Sequence, residues 1–208
     1  MTRDNRLLFG PLSLAIFTPG ILILPAFIPG YDSVRQTVSE IGEMDSPMRW
    51  PFAAMLFAVA ICVSIFALGL RGACIQARHS SVSAWLAAWM AVAAGAIGWF
   101  AFPHPLHNVF GLSELIGYQA PLAFALTWRN DPRAGRAVRF SWQMYVLLLI
   151  SLALNLTAIA RSGAIWNDIK PFYGLVQRSL FLCFFVWSAG MGMLLRQRGA
   201  SALPAAAP

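Results

Sequence analysis

Six long apolar runs constrain this chain more than any other feature of its sequence. They cover Pro11–Ile28, Phe52–Leu70, Val82–Phe102, Val109–Trp128, Phe140–Ala160 and Phe172–Leu195. Each is close to the roughly 20 residues that an α-helix needs to cross the hydrocarbon core of a bilayer. Backbone polar groups in lipid must be bonded within their own segment. We therefore predict an all-α fold, a polytopic membrane bundle of six transmembrane helices.

The composition supports this prediction, because 59% of the residues are hydrophobic and 11% are charged. Soluble domains carry about 25% charged residues. The formal net charge is +7, but the basic residues lie between apolar runs and do not form one amphipathic face. We expect membrane lipids, and not nucleic acid, as partners of a single domain covering residues 1–198. Residues 199–208 are small residues and prolines, which predicts a disordered tail.

The basic residues also predict an orientation. Ten of the 15 fall at the N-terminus, in the second and fourth connections and in the C-terminal tail. This asymmetry predicts that both termini are cytoplasmic, in a multi-pass protein of the inner (plasma) membrane. We refer to that side as the predicted inner end and to the opposite side as the predicted outer end. Six of the 8 acidic residues fall at the predicted outer end, namely Asp32, Glu40, Glu43, Asp45, Glu114 and Asp168.

The first outer connection is the longest polar segment of the chain. Val34, Val38 and Ile41 recur in it at helical spacing, with polar residues between them. This pattern predicts a short amphipathic helix over Ser33–Glu43 that lies at the membrane interface, with Ser33 and Gln36 forming a capping box. Ser39 and Glu40 on that helix could supply a nucleophile or a base.

Two charges lie within the apolar runs. Glu114 and Arg178 are each about six residues from the start of their span, which places both roughly 9 Å below the predicted outer boundary. Ions inside a membrane normally pair or face a wet cavity. We therefore infer a Glu114–Arg178 pair or a shared polar pocket, either to fix helix register or to bind a ligand. Tyr118 and Gln177 line that pocket or make ordinary bonds between helices.

The turn FPHPLHN places His104 and His107 between two spans. Asn108 is expected to cap the helix that follows. With a carboxylate such as Glu114, Glu40 or Asp168, the two histidines could hold a divalent metal that keeps an open position. Alternatively, one histidine and a carboxylate perform acid/base chemistry, or the histidines are structural. For Asp168 the alternative is a charge at the start of span six.

Three motifs carry a resemblance to a known family. PGYDSVRQTVSEIGE follows span one, FPHPLHN follows span three, and FYGLVQR opens span six. In this order they resemble a bacterial and archaeal six-span membrane family, domain of unknown function nine hundred ninety-eight. The resemblance covers roughly Leu8–Leu195 and implies a membrane location and six helices, without an established activity. It also suggests one group of residues at the outer face: Asp32, Ser39, Glu40, His104, His107, Gln177 and Arg178.

These observations leave two main hypotheses for the function. In the first, the protein is a membrane-embedded enzyme acting on a lipid or another amphipathic substrate by acid/base or metal-assisted chemistry. Its catalytic residues would be His104, His107, Glu114 and Glu40, with His104 and His107 as metal ligands. In the second, a non-catalytic protein binds or transports a small amphipathic or anionic ligand. The ligand-binding residues would be Arg178, Gln177, Tyr118, Asp32, Ser39 and Asp168. A structural membrane subunit is a further alternative.

Overall fold

The computed structural model describes residues 3–159 and 163–200, and in these ranges the chain forms helices and no strands. The predicted all-α class is therefore confirmed. The predicted disordered tail falls largely on residues 201–208, which lie outside the described residues. The helices are α1 (Arg3–Leu7), α2 (Phe9–Ile23), α3 (Val38–Ile41), α4 (Arg49–Gln76), α5 (Val82–Trp99), α6 (Pro105–Gly117), α7 (Ala120–Thr127), α8 (Gly135–Leu156), α9 (Ala164–Ile169) and α10 (Tyr173–Ala200).

Six helical segments in the described ranges are long and apolar enough to cross a membrane. This confirms the six-helix prediction. Each segment agrees in position with one predicted run, although the helical ends differ by several residues. Spans one to six are Asn5–Phe27, Arg49–Gln76, Val82–Trp99, Pro105–Thr127, Pro132–Ile159 and Ala164–Arg198.

Span four is divided, which the sequence reading did not anticipate. α6 ends at Gly117 and α7 begins at Ala120, with Tyr118 and Gln119 between them. Pro121 lies in the first turn of α7, where its missing N–H costs no hydrogen bond. A proline at this position cannot continue the ladder of the preceding helix, so the helix ends before it.

The spans form a ring in the order in which they occur along the chain. α4 packs against both α2 and α5, α5 against α6 and α7, α7 against α8, and α8 against α10. α10 returns to α2, so the first and last spans are neighbours. Fully buried aromatic side chains fill the interior of the ring, including Phe66, Phe124, Phe184 and Trp187.

The first and last spans approach closely because glycines lie at their contacts. A Cβ at Gly10 would clash with the carbonyl of Ser188, and a Cβ at Gly192 would clash with the carbonyl of Leu7. Ser13 and Ser188, both fully buried, also meet between these spans, with their hydroxyl oxygens 3.5 Å apart. Small residues at these positions allow the two backbones to touch.

The first connection contains less helix than predicted. Only Val38–Ile41 is helical, and its N-cap is Thr37 instead of the predicted Ser33. The Thr37 N–H and hydroxyl donate to Glu40 Oε1 at 2.9 Å and 2.8 Å. The prediction of a helix from Ser33 was wrong because the carbonyls of Ser33 and Gln36 accept hydrogen bonds from Arg178.

Candidate functional site

One face of α6 carries the polar residues of span four. His107, Gly111, Glu114 and Tyr118 follow at intervals of four, three and four residues, which is the spacing of one helix face. All four line a cavity of about 540 Å³. His107 and Glu114 are 6% and 7% exposed, so the polar groups face the interior and not the lipid.

The opposite wall of this cavity belongs mainly to spans five and six. It is largely apolar, with Leu152, Leu180 and Phe181 among its residues. Asn155 and Gln177 are polar exceptions. The Asn155 amide nitrogen donates to the carbonyls of Ser151 and Val176. We call this cavity the chamber.

A second cavity of about 790 Å³ lies above the chamber at the predicted outer end. Its lining is polar and aromatic, and includes Arg35, Glu40, Glu43, Trp166 and Lys170. The two cavities have six lining residues in common, which shows that they adjoin: Ser39, His107, Asn108, Ala158, Tyr173 and Gln177. We call the second cavity the vestibule.

The chamber also opens sideways, between spans four and five. α6 packs mainly on α5, and its backbone stays largely apart from α8 and α10. The chamber wall at this gap includes Leu112 and Ile159, whose side chains are 63% and 76% exposed. In a membrane protein, exposed apolar side chains on a span face lipid. The gap is therefore bordered by exposed apolar side chains.

Glu114 does not pair with Arg178, and this prediction was wrong. The Tyr118 hydroxyl donates to Glu114 Oε2 at 3.1 Å, and both residues are buried in the chamber wall. Arg178 is 4% exposed but does not line the chamber or the vestibule. The two charged side chains have separate partners, because Glu114 bonds to Tyr118 and Arg178 bonds to the first connection.

Arg178 instead holds the first connection on α10. Its Nη1 donates to the carbonyls of Ser33, Gln36 and Gly174 at 2.8 to 3.0 Å, and its Nη2 donates to the Tyr31 hydroxyl at 2.9 Å. Tyr31 in turn donates to the Thr37 carbonyl at 2.6 Å. Burial raises the pKa of Tyr31, and its hydrogen bond from Arg178 offsets part of that rise.

Gln177 assists in this docking and also reaches the chamber. Its Oε1 accepts the Val38 N–H at 2.6 Å, which satisfies a free donor at the start of α3. The bond brings Ser39 to the boundary between chamber and vestibule. Glu40 lines the vestibule, where Gln36 Nε2 and Thr37 also donate to its carboxylate.

The two histidines have separate environments. His104 is exposed, caps α6 by accepting the Leu106 N–H through Nδ1, and stacks on Phe100. The prediction that Asn108 caps this helix was wrong, because Pro105 already starts it. His107 Nδ1 lies 2.8 Å from the Phe100 carbonyl. Since a carbonyl oxygen only accepts, Nδ1 carries the proton, and Nε2 is left for another partner.

The remaining predicted site residues lie outside both cavities. Asp32 is exposed and accepts the Val34 N–H at 2.9 Å, which shapes the first connection. Asp168 is exposed within α9. Within residues 3–159 and 163–200, no group of three or more histidines, cysteines and carboxylates lies close enough to hold a metal. Metal binding stays a prediction.

Sequence reasoning missed three residues that shape this region. Tyr31 and Thr37 fix the first connection, and Asn155 places an amide in the chamber. The threonine was detectable, because Thr-x-x-Glu is a capping-box pattern. Asn155 was detectable as a polar residue near the outer end of span five.

Comparison with known families places the chain in one of them. The profile of the family described as Protein of unknown function (DUF998) matches residues 11–194. Comparisons with curated proteins and with solved structures found no significant match. The matched range extends from span one into the last turns of span six. The chain is therefore an integral membrane protein that belongs to the family of unknown function DUF998.

Proposed function

We propose that this protein binds an amphipathic, lipid-like molecule inside its membrane domain. The observation that carries the proposal is the junction of a largely apolar chamber, which has exposed apolar side chains on one side, with a polar vestibule at one end of the bundle. An apolar chain would occupy the chamber, and the polar group of the same molecule would lie in the vestibule. The volume of about 540 Å³ is within the range of ligand sites, about 300 to 1,000 Å³.

The side opening favours a ligand that arrives from the bilayer. A water-soluble ligand needs no path through exposed leucine and isoleucine side chains, whereas a lipid chain does. The positive-inside asymmetry would put the vestibule at the outer leaflet of the inner membrane. The vestibule has both basic and acidic residues, which suits a zwitterionic or polar headgroup better than a simple anion.

Catalysis on the bound molecule is a second candidate. It is favoured by His107, which lines both cavities and has an Nε2 available for proton transfer. Glu114 lies seven residues further along α6, about 10 Å by helical rise. The two groups are therefore too far apart to act on one atom. In this scheme His107 serves as acid or base beside Glu40, and Glu114 with Tyr118 orients the substrate in the chamber.

Filling the chamber tests the binding proposal. A Cβ at Gly111 meets no atom within 4 Å, so Gly111→Leu adds a side chain without a clash. Leucine also favours helix over glycine by roughly 0.5 to 1 kcal/mol, which guards against unfolding. We expect at least one lipid species that co-purifies with the wild-type protein in mild detergent to fall about tenfold in the variant, as quantified by mass spectrometry.

Gly135→Leu is the matched control, because Gly135 also has open space around it but lies at the other end of the bundle, outside the chamber. It should retain the wild-type amount of lipid. Equal retention by both variants and the wild type would contradict the proposal.

His107→Ala separates catalysis from binding. If the protein is an enzyme, His107→Ala keeps co-purified lipid but fails to restore the lipid profile of a deletion strain. A restored profile would exclude a catalytic role for His107. Metal analysis of the purified protein, with and without a chelator, tests the proposed divalent metal separately.

A further inference from the structure

A second set of charged residues lies at the opposite end of the bundle, far from the chamber. Two cavities of about 410 and 660 Å³ adjoin there, and both are lined by Arg133, Leu195 and Arg198. Arg78 also lines the first cavity and Arg136 the second. We call the two cavities together the inner groove. It lies between the connection that joins spans four and five and the end of span six.

The one carboxylate that lines the inner groove in the described structure is already bonded. Asp131 Oδ2 accepts from Arg198 Nη2 at 2.6 Å and lies 3.2 Å from His79 Nε2. Asp131 Oδ1 accepts the Arg133 N–H at 2.9 Å. Trp128 supports this arrangement, since the Arg198 guanidinium lies 5.0 Å from its ring and His79 packs 4.4 Å from it.

The arginines of the inner groove have hydrogen-bonding capacity left. Arg198 Nη1 is buried and has no hydrogen-bond partner in the described structure. Arg133 and Arg136 are both exposed and line the same groove. A buried, unpartnered guanidinium nitrogen beside further arginines favours an anion that can accept several N–H donors at once.

We propose that the inner groove binds the phosphate of an anionic lipid headgroup. A phosphodiester offers the paired oxygens that guanidinium groups bind bidentately. The groove lies at the ends of spans, which is the level of the headgroups, and basic pockets between helices at that level suit anionic lipids. Leu194 on its wall is partly exposed and lies one helical turn further into span six than Arg198, where it can contact an acyl chain. This site is independent of the proposed chamber ligand.

Thermal unfolding of the full-length protein in detergent tests this proposal. Dioleoyl phosphatidylglycerol should raise the unfolding midpoint by several degrees, and dioleoyl phosphatidylcholine should not. The double variant Arg133→Gln/Arg136→Gln should lose more than half of that rise. Both side chains are exposed, so the variant is expected to fold. Arg198 is left intact because it holds Asp131.

Arg129→Gln/Arg139→Gln removes the same charge from exposed positions at the same end, outside the groove. This control should keep the full response to phosphatidylglycerol. An equal loss in the control would show a nonspecific charge effect and overturn the proposal. Inorganic phosphate that reproduces the whole rise without lipid would overturn the assignment to a lipid headgroup. Failure of the chamber experiment would leave this result unaffected.

Discussion

Arg178 is a buried cation whose partners in the described structure are neutral. Four hydrogen bonds to three carbonyls and a phenol hold the guanidinium, and they also hold Tyr31 to Gln36 against α10. Carbonyl dipoles can replace water around a charge when several converge on it. The residue therefore organises the first connection and leaves Glu114 to the chamber.

Arg178→Lys should destabilise the protein although it keeps the charge. The ammonium group of lysine cannot reproduce the planar guanidinium group, which donates to four acceptors here. Several buried carbonyls would therefore lose their donor. We expect a cost of about 2 to 3 kcal/mol, measured as a lower thermal midpoint and faster proteolysis in the first connection. Arg35→Lys, at an exposed position of the same connection, is the control. A wild-type midpoint for Arg178→Lys would contradict this role.

Asp131 should make the stability depend on pH. Burial opposes its ionisation, but hydrogen bonds from Arg198, the Arg133 N–H and His79 prevail and lower the pKa of Asp131. A carboxyl whose pKa is lower in the folded state stabilises the fold above its unfolded pKa, near 4. That contribution is lost as the pH falls through the folded value.

Asp131→Asn should therefore lower the free energy of unfolding at pH 7 by about 1 to 2 kcal/mol. The change is measured as a lower thermal midpoint. The difference from the wild type should shrink as the pH falls below about 4. Unfolding scans between pH 7 and pH 3 measure it, with Asp45→Asn at an exposed position as the control. A difference that stays constant over this range would show that Asp131 acts through packing and not through its charge.

At the scale of elements, the first connection docks on α10 through a glycine. A Cβ at Gly174 would clash with the carbonyls of Ser33, Val34 and Gln36. The Leu175 N–H donates to the Val34 carbonyl at 3.3 Å in the same contact. The position of α3 thus depends on the close approach of the first connection to the backbone of α10. The positions of Ser39 and Glu40 at the vestibule depend on the same contact.

Gly174→Val should release this connection from α10. We expect hydrogen exchange of the amides in residues 31–42 to accelerate at least about tenfold, while the spans keep their protection. Gly111→Val, at a position with open space, should leave exchange in the connection unchanged. Unchanged exchange in Gly174→Val would mean that the docking tolerates a larger separation than the structure indicates.

The positions of the helices along the chain were more predictable from the sequence than the directions in which their side chains point. Hydropathy locates all six spans because each must present apolar residues to lipid over a fixed length. The break at Tyr118 and Gln119 was signalled by Pro121, but the apolar run continues through it. Counting residues from the predicted span starts gave Glu114 and Arg178 one depth, but the helix that carries Glu114 begins at Pro105, four residues before the predicted run. The direction in which each side chain points depends on which helices are neighbours, and pattern alone does not contain that information.

The whole molecule is a ring of spans. The ring is closed at one end of the bundle, and at the opposite end it has a gap on one side. In the half that contains α7, this helix lies between α5 and α8 and closes the ring. In the half that contains α6, this helix remains on α5 and leaves the gap toward α8. The position of the chamber is therefore a consequence of the division of span four, since a continuous helix packed on both neighbours would fill this space.

The orientation of the ring in the membrane can be tested directly. A reporter fused after Ala134 should be cytoplasmic, and one fused after Gly163 should be periplasmic, because the basic residues favour the side of the fourth connection. Alkaline phosphatase activity at the second position and its absence at the first would agree with this. The reverse pattern would place the vestibule at the inner leaflet.

The contact between the first and last spans has a consequence for how the protein is made. Ribosomes deliver the spans to the membrane in order, so α2 is inserted long before α10 exists. Until then, the side of span one that carries Gly10 and Ser13 has no α10 to cover it. The ring can close only after span six has been synthesised, and chains that stop before span six should persist as unassembled helices that quality-control proteases can reach.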